Sequence, residues 1–437
     1  MRLNVTLFGS ILMAWSGLAS ALSLTEALER ASQHDPAVGE SRSRFAAESE
    51  ESQQEYSELR PHVSINSQAN YSYSDSQFAF GSAQDHYPSW SAYLEVRQAL
   101  LRLDWSARKD RAKVYDSLAT RHAKDSERDF VVRVASRYLN TLLAREAVEE
   151  SRSEVKSVQE SLKATRQRFD VGLVPGTDLK EAMARADLAK ARLVSAQAEL
   201  EDQQDALDEV TGTPGDAPNL MRDDAVLPAT QPLDVESWAR LARENGTATQ
   251  SALLDLELAR TELESRRAEV LPEIDLVAQA GRNESTEYIL GQRQDDAQIS
   301  LQLSIPIYAG GLGQSRIRQA QAKVDEAEFR LLQVERAAER DVRKLHRSVN
   351  TARAEAQAYS RALESAIAAQ KATQAGYDAG SRTITDVLDA ARRVVQARRN
   401  RNASRYSTLI NLLTLHAEAG LLTAQVVSDL DYLFETP

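Results

Sequence analysis

The sequence predicts a mainly α-helical chain with a β-barrel part, assembled from one unit used twice. Three observations predict it. Ala, Leu, Arg, Glu and Gln dominate, with only 17 Gly and 11 Pro among 437 residues, a composition that favours long helices. Four short segments alternate apolar and polar residues, the period of a strand with one buried face. Stretches of the first half recur in the same order in the second.

The helices come first in length. No proline or glycine occurs from about Asp104 to Phe169, nor from about Gln314 to Ala375. Roughly 60 residues at 1.5 Å each make a rod of about 90–100 Å. Val148, Val155, Val158, Leu162, Thr165 and Phe169 follow three- and four-residue spacing, as do Leu345, Val349, Ala352, Ala356, Tyr359 and Leu363. That spacing is a coiled-coil seam, although an ordinary helical bundle explains it equally well.

The strands follow. Val63, Ile65, Ala69, Tyr71 and Tyr73 alternate with Ser64, Asn66, Gln68, Asn70 and Ser72; Ile299, Leu301, Leu303, Ile305 and Ile307 alternate with Ser300, Gln302 and Ser304. Runs of about 9–11 residues can cross a bilayer when tilted. Tyr71, Tyr73, Phe78, Phe80, Tyr87, Trp90 and Tyr93 gather in the first hairpin, as interfacial aromatics of a barrel do. The competing reading is a soluble sheet packed on the helices. Four strands cannot close a barrel, and lipid does not tolerate an open sheet edge. Three chains would give about twelve strands.

The duplication sets the organisation. Leu22-Ser23-Leu24-Thr25 recurs as Leu233-Asp234-Val235-Glu236, and Arg60 to Ile65 as Leu271 to Leu276, 211 positions on. The stretch RFDVGLVPGTDLKEA from Arg168 recurs 208 positions on within AGYDAGSRTITDVLDA, with Gly172 on Gly380 and Asp178 on Asp386. Each half reads as helix, strand, loop, strand, very long helix, turn, helix. The expected boundaries are 22–212 for the first repeat, 213–233 for a proline-rich linker, 234–419 for the second repeat and 420–437 for a C-terminal segment.

Arg2, an apolar run from Val5 to Leu18 and Ala19-Ser20-Ala21 read as a secretory signal peptide over residues 1–21. The absence of cysteine excludes disulfides, thiol catalysis, cysteine metal sites and a cysteine-borne lipid anchor. A net charge of -12 argues against a nucleic-acid partner. The run Arg392, Arg393, Arg398, Arg399, Arg401 and Arg405 reads as a solvated helix face. The six histidines have no metal-ligand spacing, and no nucleophile and base stand together. No enzyme activity, cofactor or metal is expected. Ala309-Gly310-Gly311-Leu312-Gly313 lacks the lysine of a phosphate loop and reads as a structural junction.

RFDVGLVPGTD, LSIPIYAGGLGQSRIRQAQ and GYDAGSRTITDVLDA resemble the TolC-like outer-membrane factor family, in order over nearly the whole chain after residue 21. The resemblance implies a homotrimeric export channel. Its twelve-stranded barrel, four strands per chain, would sit in outer-membrane lipid, continued by an α-helical coiled-coil tunnel through the periplasm. Residues 213–233 and 420–437 would form an equatorial belt. The two turns would be tips that meet a periplasmic adaptor (a membrane fusion protein) and an inner-membrane transporter, ABC-type for protein secretion or proton-driven for efflux. Gly172, Leu173, Gly380 and Ser381 would make the adaptor contact, with Val174-Pro175-Gly176 stiffening the first tip. Thr177, Asp178, Tyr377 and Arg382 would form the network that holds the periplasmic gate shut, Tyr377 and Arg382 bonding to Asp178. Asp386 and Asp389 would ring the pore constriction, where carboxylates favour cations. Asp178-x-x-Glu181 and Asp386-x-x-Asp389 also read as capping-box-like helix starts, and both roles can coexist. The alternatives are a periplasmic coiled-coil adaptor, or a scaffold without its own pore.

Overall fold

The computed structural model describes residues 22–58, 60–78, 81–214, 217–230, 234–286 and 292–434. The expected signal peptide, Phe80 and linker residues 215–216 and 231–233 lie outside them. In chain order the elements are α1 (Leu24–His34), α2 (Pro36–Ser57), β1 (His62–Phe78), β2 (Gly81–Leu101), α3 (Trp105–Asp170), α4 (Gly176–Thr211), α5 (Val235–Asn245), α6 (Thr247–Ala268), β3 (Glu273–Ser285), β4 (Gln292–Ser304), α7 (Leu312–Asp378), α8 (Ile384–Glu418) and α9 (Ala424–Ser428). Among the described residues, no helix is long and apolar enough to cross a membrane.

The duplication is visible element by element: α5 and α6 begin and end 211 positions after α1 and α2, and the turn from α7 to α8 lies 208 positions after that from α3 to α4. One expectation needs correcting, because each half opens with two helices rather than one. Asp35 adopts an extended backbone, as the residue before Pro36 must. Its carboxylate then accepts the Ala37 N–H at 2.9 Å and starts α2. In the second half Gly246 makes the same break ahead of α6.

The chain divides into two compact units. The first comprises residues up to 39, 126–240 and 340–437. Its core is built on Val134, Ala135, Tyr138, Leu139 and Leu142 of α3, joined by Leu207 of α4, Leu409 and Leu413 of α8 and Leu433 near the C-terminus. Tyr138 is fully buried. Its hydroxyl donates to the Leu22 carbonyl at 2.9 Å and accepts from the Asn219 N–H at 3.2 Å. Its ring meets Phe434 edge-on at 5.7 Å. Leu22 pairs with Pro218 and Met221 with Phe434 in isolated bridges. Both ends of the described chain are therefore stitched to the proline-rich linker. On the long helices the coiled-coil seam is partly as expected. Val148, Val158 and Thr165 of α3 and Val349, Ala352, Ala356 and Leu363 of α7 are buried, whereas Phe169 is 40% exposed.

Three carboxylates, Glu146, Glu150 and Glu154, follow one another at four-residue spacing along α3. Tyr406 donates to Glu146 at 2.7 Å and Asn402 to Glu150 at 2.8 Å; Arg192 pairs with Glu154 at 2.9 Å. The basic run of α8 is accordingly not a wholly solvated face. Arg405 is 5% exposed and donates to the Arg222 carbonyl. Arg399 lies 3.6 Å from Glu150. Burial, reinforced by the neighbouring Glu146, pushes the Glu150 carboxyl up to about 7 from an ordinary 4.5. The folded chain thus holds this proton more tightly than the unfolded chain. The effect on stability turns unfavourable as pH rises from about 4.5 to 7 and stays so above. Glu150→Gln is expected to be near neutral at pH 4.5 and to stabilise by about 1–3 kcal/mol at pH 8. Thermal unfolding at the two pH values checks this; equal shifts at both would contradict it.

The second unit comprises residues 40–125 and 241–339. Its sheet runs β1-β2-β3-β4, with every pair antiparallel. Register puts Val63 opposite Val96, Val96 opposite Ala278 and Ala278 opposite Ile299. The adjacent row is Ser64, Glu95, Gln279 and Gln298. One face is therefore apolar across all four strands and the other polar. The apolar face is not packed on helices: Val63, Ile65, Ile299, Leu301 and Leu303 are all at least 60% exposed. The soluble-sheet reading fails on that point. The strands are longer than the expected 9–11 residues, with 17 in β1 and 21 in β2. Pairing continues beyond the apolar rows through a Ser-, Asp- and Gln-rich stretch, where Asp75 faces Gln84. Below the sheet Arg111 of α3 ties α2 to α6 through Glu55 at 3.3 Å and Glu262 at 2.7 Å.

Candidate functional site: the duplicated helix turns

Both long helices end in the same way. Gly172 has φ +76° and Gly380 φ +75°, the left-handed conformation that glycine adopts at least cost. Gly172 N–H donates to the Phe169 carbonyl at 2.9 Å and Leu173 N–H to that of Arg168 at 2.8 Å. In the second turn Gly380 donates to Tyr377 at 3.0 Å and Ser381 to Gly376 at 2.8 Å. This paired bonding is the Schellman motif, which satisfies the last carbonyls of a helix. A rigid helix end thus presents Val171 and Leu173 to solvent, about 70% exposed each.

The following helix starts differ. Thr383 caps α8: its hydroxyl accepts the Asp386 N–H at 3.2 Å, and Asp386 accepts the Thr383 N–H at 2.9 Å. That reciprocal pair is a capping box. It is built from Thr383 and Asp386 rather than from Asp386 and Asp389. The Thr383 bonds hold the Asp386 carboxyl below its usual range. In the first repeat Pro175 occupies the capping position and gives no side-chain bond. Asp178 makes no capping bond and, among the described residues, receives the Thr177 hydroxyl at 3.4 Å.

The two hairpins pack on each other through a small apolar cluster of Val158, Ala186, Tyr377, Ile384, Val387 and Leu388. Tyr377 is 8% exposed, and its buried hydroxyl has no hydrogen-bond partner among the described residues. The expected bond from Tyr377 to Asp178 is therefore not formed within the chain. Instead Arg168 of α3 lies 4.2 Å from the Tyr377 ring centre, a cation–π contact. Arg382 makes no ion pair within the chain among the described residues. A Cβ at Gly376 would lie 2.8 Å from the Arg382 Cγ, so this glycine gives Arg382 its place.

Asp389, expected at the pore constriction, is engaged by a cation of the same chain. Arg185 of α4 donates to Asp389 at 2.8 Å and to Glu181, one turn before it, at 2.8 Å. Thr385 of α8 donates to Glu181 at 3.2 Å. The Arg185 guanidinium holds the Asp389 carboxyl below its usual range. The same bonds raise Arg185 against the opposing effect of its own partial burial. Arg168 and Arg185 escaped the sequence reading. Arg185 carried one local signal, its four-residue spacing from Glu181; its second partner lies 204 positions away.

Residues 27–213 and 238–421 match the family described as outer membrane efflux protein. The chain is 28% identical over 415 residues to the outer membrane protein TolC of Vibrio cholerae, which covers 94% of this chain and 93% of that one. It is 26% identical over 438 residues to the alkaline protease secretion protein AprF of Pseudomonas aeruginosa, covering 96% and 89%. Its fold matches that of a membrane protein from Pseudomonas aeruginosa with a TM-score of 0.77 at 19% identity, covering 95% of this chain and 96% of that one. The same family spans both repeats, with a gap at the linker. The chain is therefore a member of the outer membrane efflux protein family, the TolC-like outer-membrane factors, and resides in the outer membrane, reaching into the periplasm.

Proposed function

We propose that three copies of this chain form an export channel, energised by an inner-membrane transporter through a periplasmic adaptor. One observation carries the reading. The sheet has an exposed apolar face, and β1 and β4 each pair on one side only. Backbone groups on an open edge have no partner in lipid. Identical copies resolve this by pairing β4 of one with β1 of the next. Three copies close about twelve strands, within the range of known barrels. The row of Ser64, Glu95, Gln279 and Gln298 then faces a polar interior. Light scattering of the detergent-purified protein tests it: a protein mass of three chains is expected. A monomer extracted without detergent would favour the periplasmic adaptor or scaffold.

The gate follows from the side chains the fold leaves unpaired. Asp178 and Arg382 meet across neighbouring copies in the closed state, with Thr177 beside them. Such exposed links contribute about 0–1 kcal/mol each, weak enough for a partner to break. Arg382→Ser is expected to raise single-channel conductance, whereas Tyr377→Phe is expected to change it little, because it removes no bond made within the chain. The reverse pattern would place Tyr377, not Arg382, in the gate.

The likeness to a protein named for alkaline protease secretion supports protein export with an ABC-type transporter. The exposed tip at Leu173 and Ser381 is the docking surface. The chain has no cysteine, so Ser381→Cys gives a single crosslinking site. Capture of the adaptor of an ABC-type system in intact cells supports secretion; capture of the adaptor of a proton-driven pump supports efflux.

A further inference from the structure

Glu181 and Asp389 are the same position of the two repeats, 208 residues apart. In the folded chain both converge on the Arg185 guanidinium, each at 2.8 Å. Glu181 uses its second oxygen to accept the Thr385 hydroxyl at 3.2 Å. Two charge-assisted bonds thus join α4 of the first hairpin to α8 of the second, Arg185 to Asp389 and Thr385 to Glu181, while the Arg185–Glu181 bond within α4 holds both partners in place. Arg185 is about three-quarters buried, so water competes for these bonds less than for the exposed Asp178 and Arg382. Arg392 and Arg393 add further positive charge near Asp389. Among the described residues no cation is bonded to Asp386; its carboxylate accepts from Thr383, and Arg382 adds positive charge nearby without a bond.

We infer that Arg185 sets both the ion preference and the latch strength of the periplasmic end, on the channel reading above. Shared between Glu181 and Asp389, it offsets part of the Asp389 charge and ties its carboxylate down, so cation preference at the constriction rests chiefly on Asp386. It also locks the two hairpins of one chain together, so opening within a chain requires this bond to break. The lock is separate from the link between chains made by Asp178 and Arg382. Arg185 is a positioning residue: it acts by holding Asp389 away from passing ions.

Single-channel recording on the full-length protein tests this, with hexaamminecobalt(III) as a trivalent cation probe. Arg185→Gln is expected to raise the open fraction. It should also strengthen block by the trivalent cation by about fivefold, the scale of one exposed charge contact. Arg185→Gln combined with Asp389→Asn should keep the higher open fraction but return block to the wild-type level. Arg185→Lys, which reaches one carboxylate at a time, should fall between. A loosened fold alone would not make block depend on Asp389. Block unchanged in Arg185→Gln, while Asp386→Asn weakens it, would overturn the inference and leave the channel reading standing. A trimeric wild-type protein that does not conduct would overturn both.

Discussion

Ile299→Arg is expected to prevent the chain from assembling in the outer membrane, and Gln298→Arg to leave assembly intact. The two residues are neighbours on β4 and point to opposite faces. Ile299 closes the apolar row with Val63, Val96 and Ala278; Gln298 closes the polar row with Ser64, Glu95 and Gln279. Ile299 is 78% exposed, so no packing inside the chain explains an isoleucine there. An arginine on the lipid face of a barrel costs about 2–4 kcal/mol at the bilayer midplane. In a trimer that cost is incurred in every copy. An arginine in a water-filled interior costs little. The check is the amount of oligomer in the outer-membrane fraction for the two variants. Equal amounts would mean that the apolar row does not face lipid.

Tyr138→Ala is expected to be the most damaging single change in the helical core. Tyr138 is fully buried where α3 meets the linker and both ends of the described chain. Emptying a buried aromatic site costs about 3–5 kcal/mol. The hydroxyl contributes much less. Removing it leaves the Asn219 N–H still bonded to the Leu22 carbonyl at 3.0 Å, so neither group is stranded. Tyr138→Phe should therefore cost only about 0.5–1.5 kcal/mol, an ordinary net hydrogen bond. Unfolding in denaturant separates the two. Equal losses for Phe and Ala would place the stabilisation in the hydroxyl rather than the ring.

Much of this architecture is legible from local pattern. The proline-free stretches become α3 and α7, and the alternating segments become the sheet. The recurrent glycine turns become two matching helix ends. Each of these signals is carried by residues close in sequence. What was not legible depends on partners far away. The strands run beyond their apolar rows because β1 and β2 pair through residues with no hydrophobic period, such as Asp75 and Gln84. Arg405 looks like one more surface arginine until α3 and the linker cover it. Asp389 shows no partner in the local sequence, because its Arg185 arrives from the other repeat. Pro175 is the instructive case. In the sequence it reads as a stiffener of the first tip; its further effect follows only from comparison with Thr383 at the same place in the second repeat: α4 has no side-chain cap, and Asp178 makes no capping bond.

Reconstitution of the purified wild-type protein into a planar lipid bilayer tests the central claim most directly. The account predicts discrete conductance steps that favour cations and lose that preference in Asp386→Asn. A protein that inserts as a trimer and passes no current would contradict it.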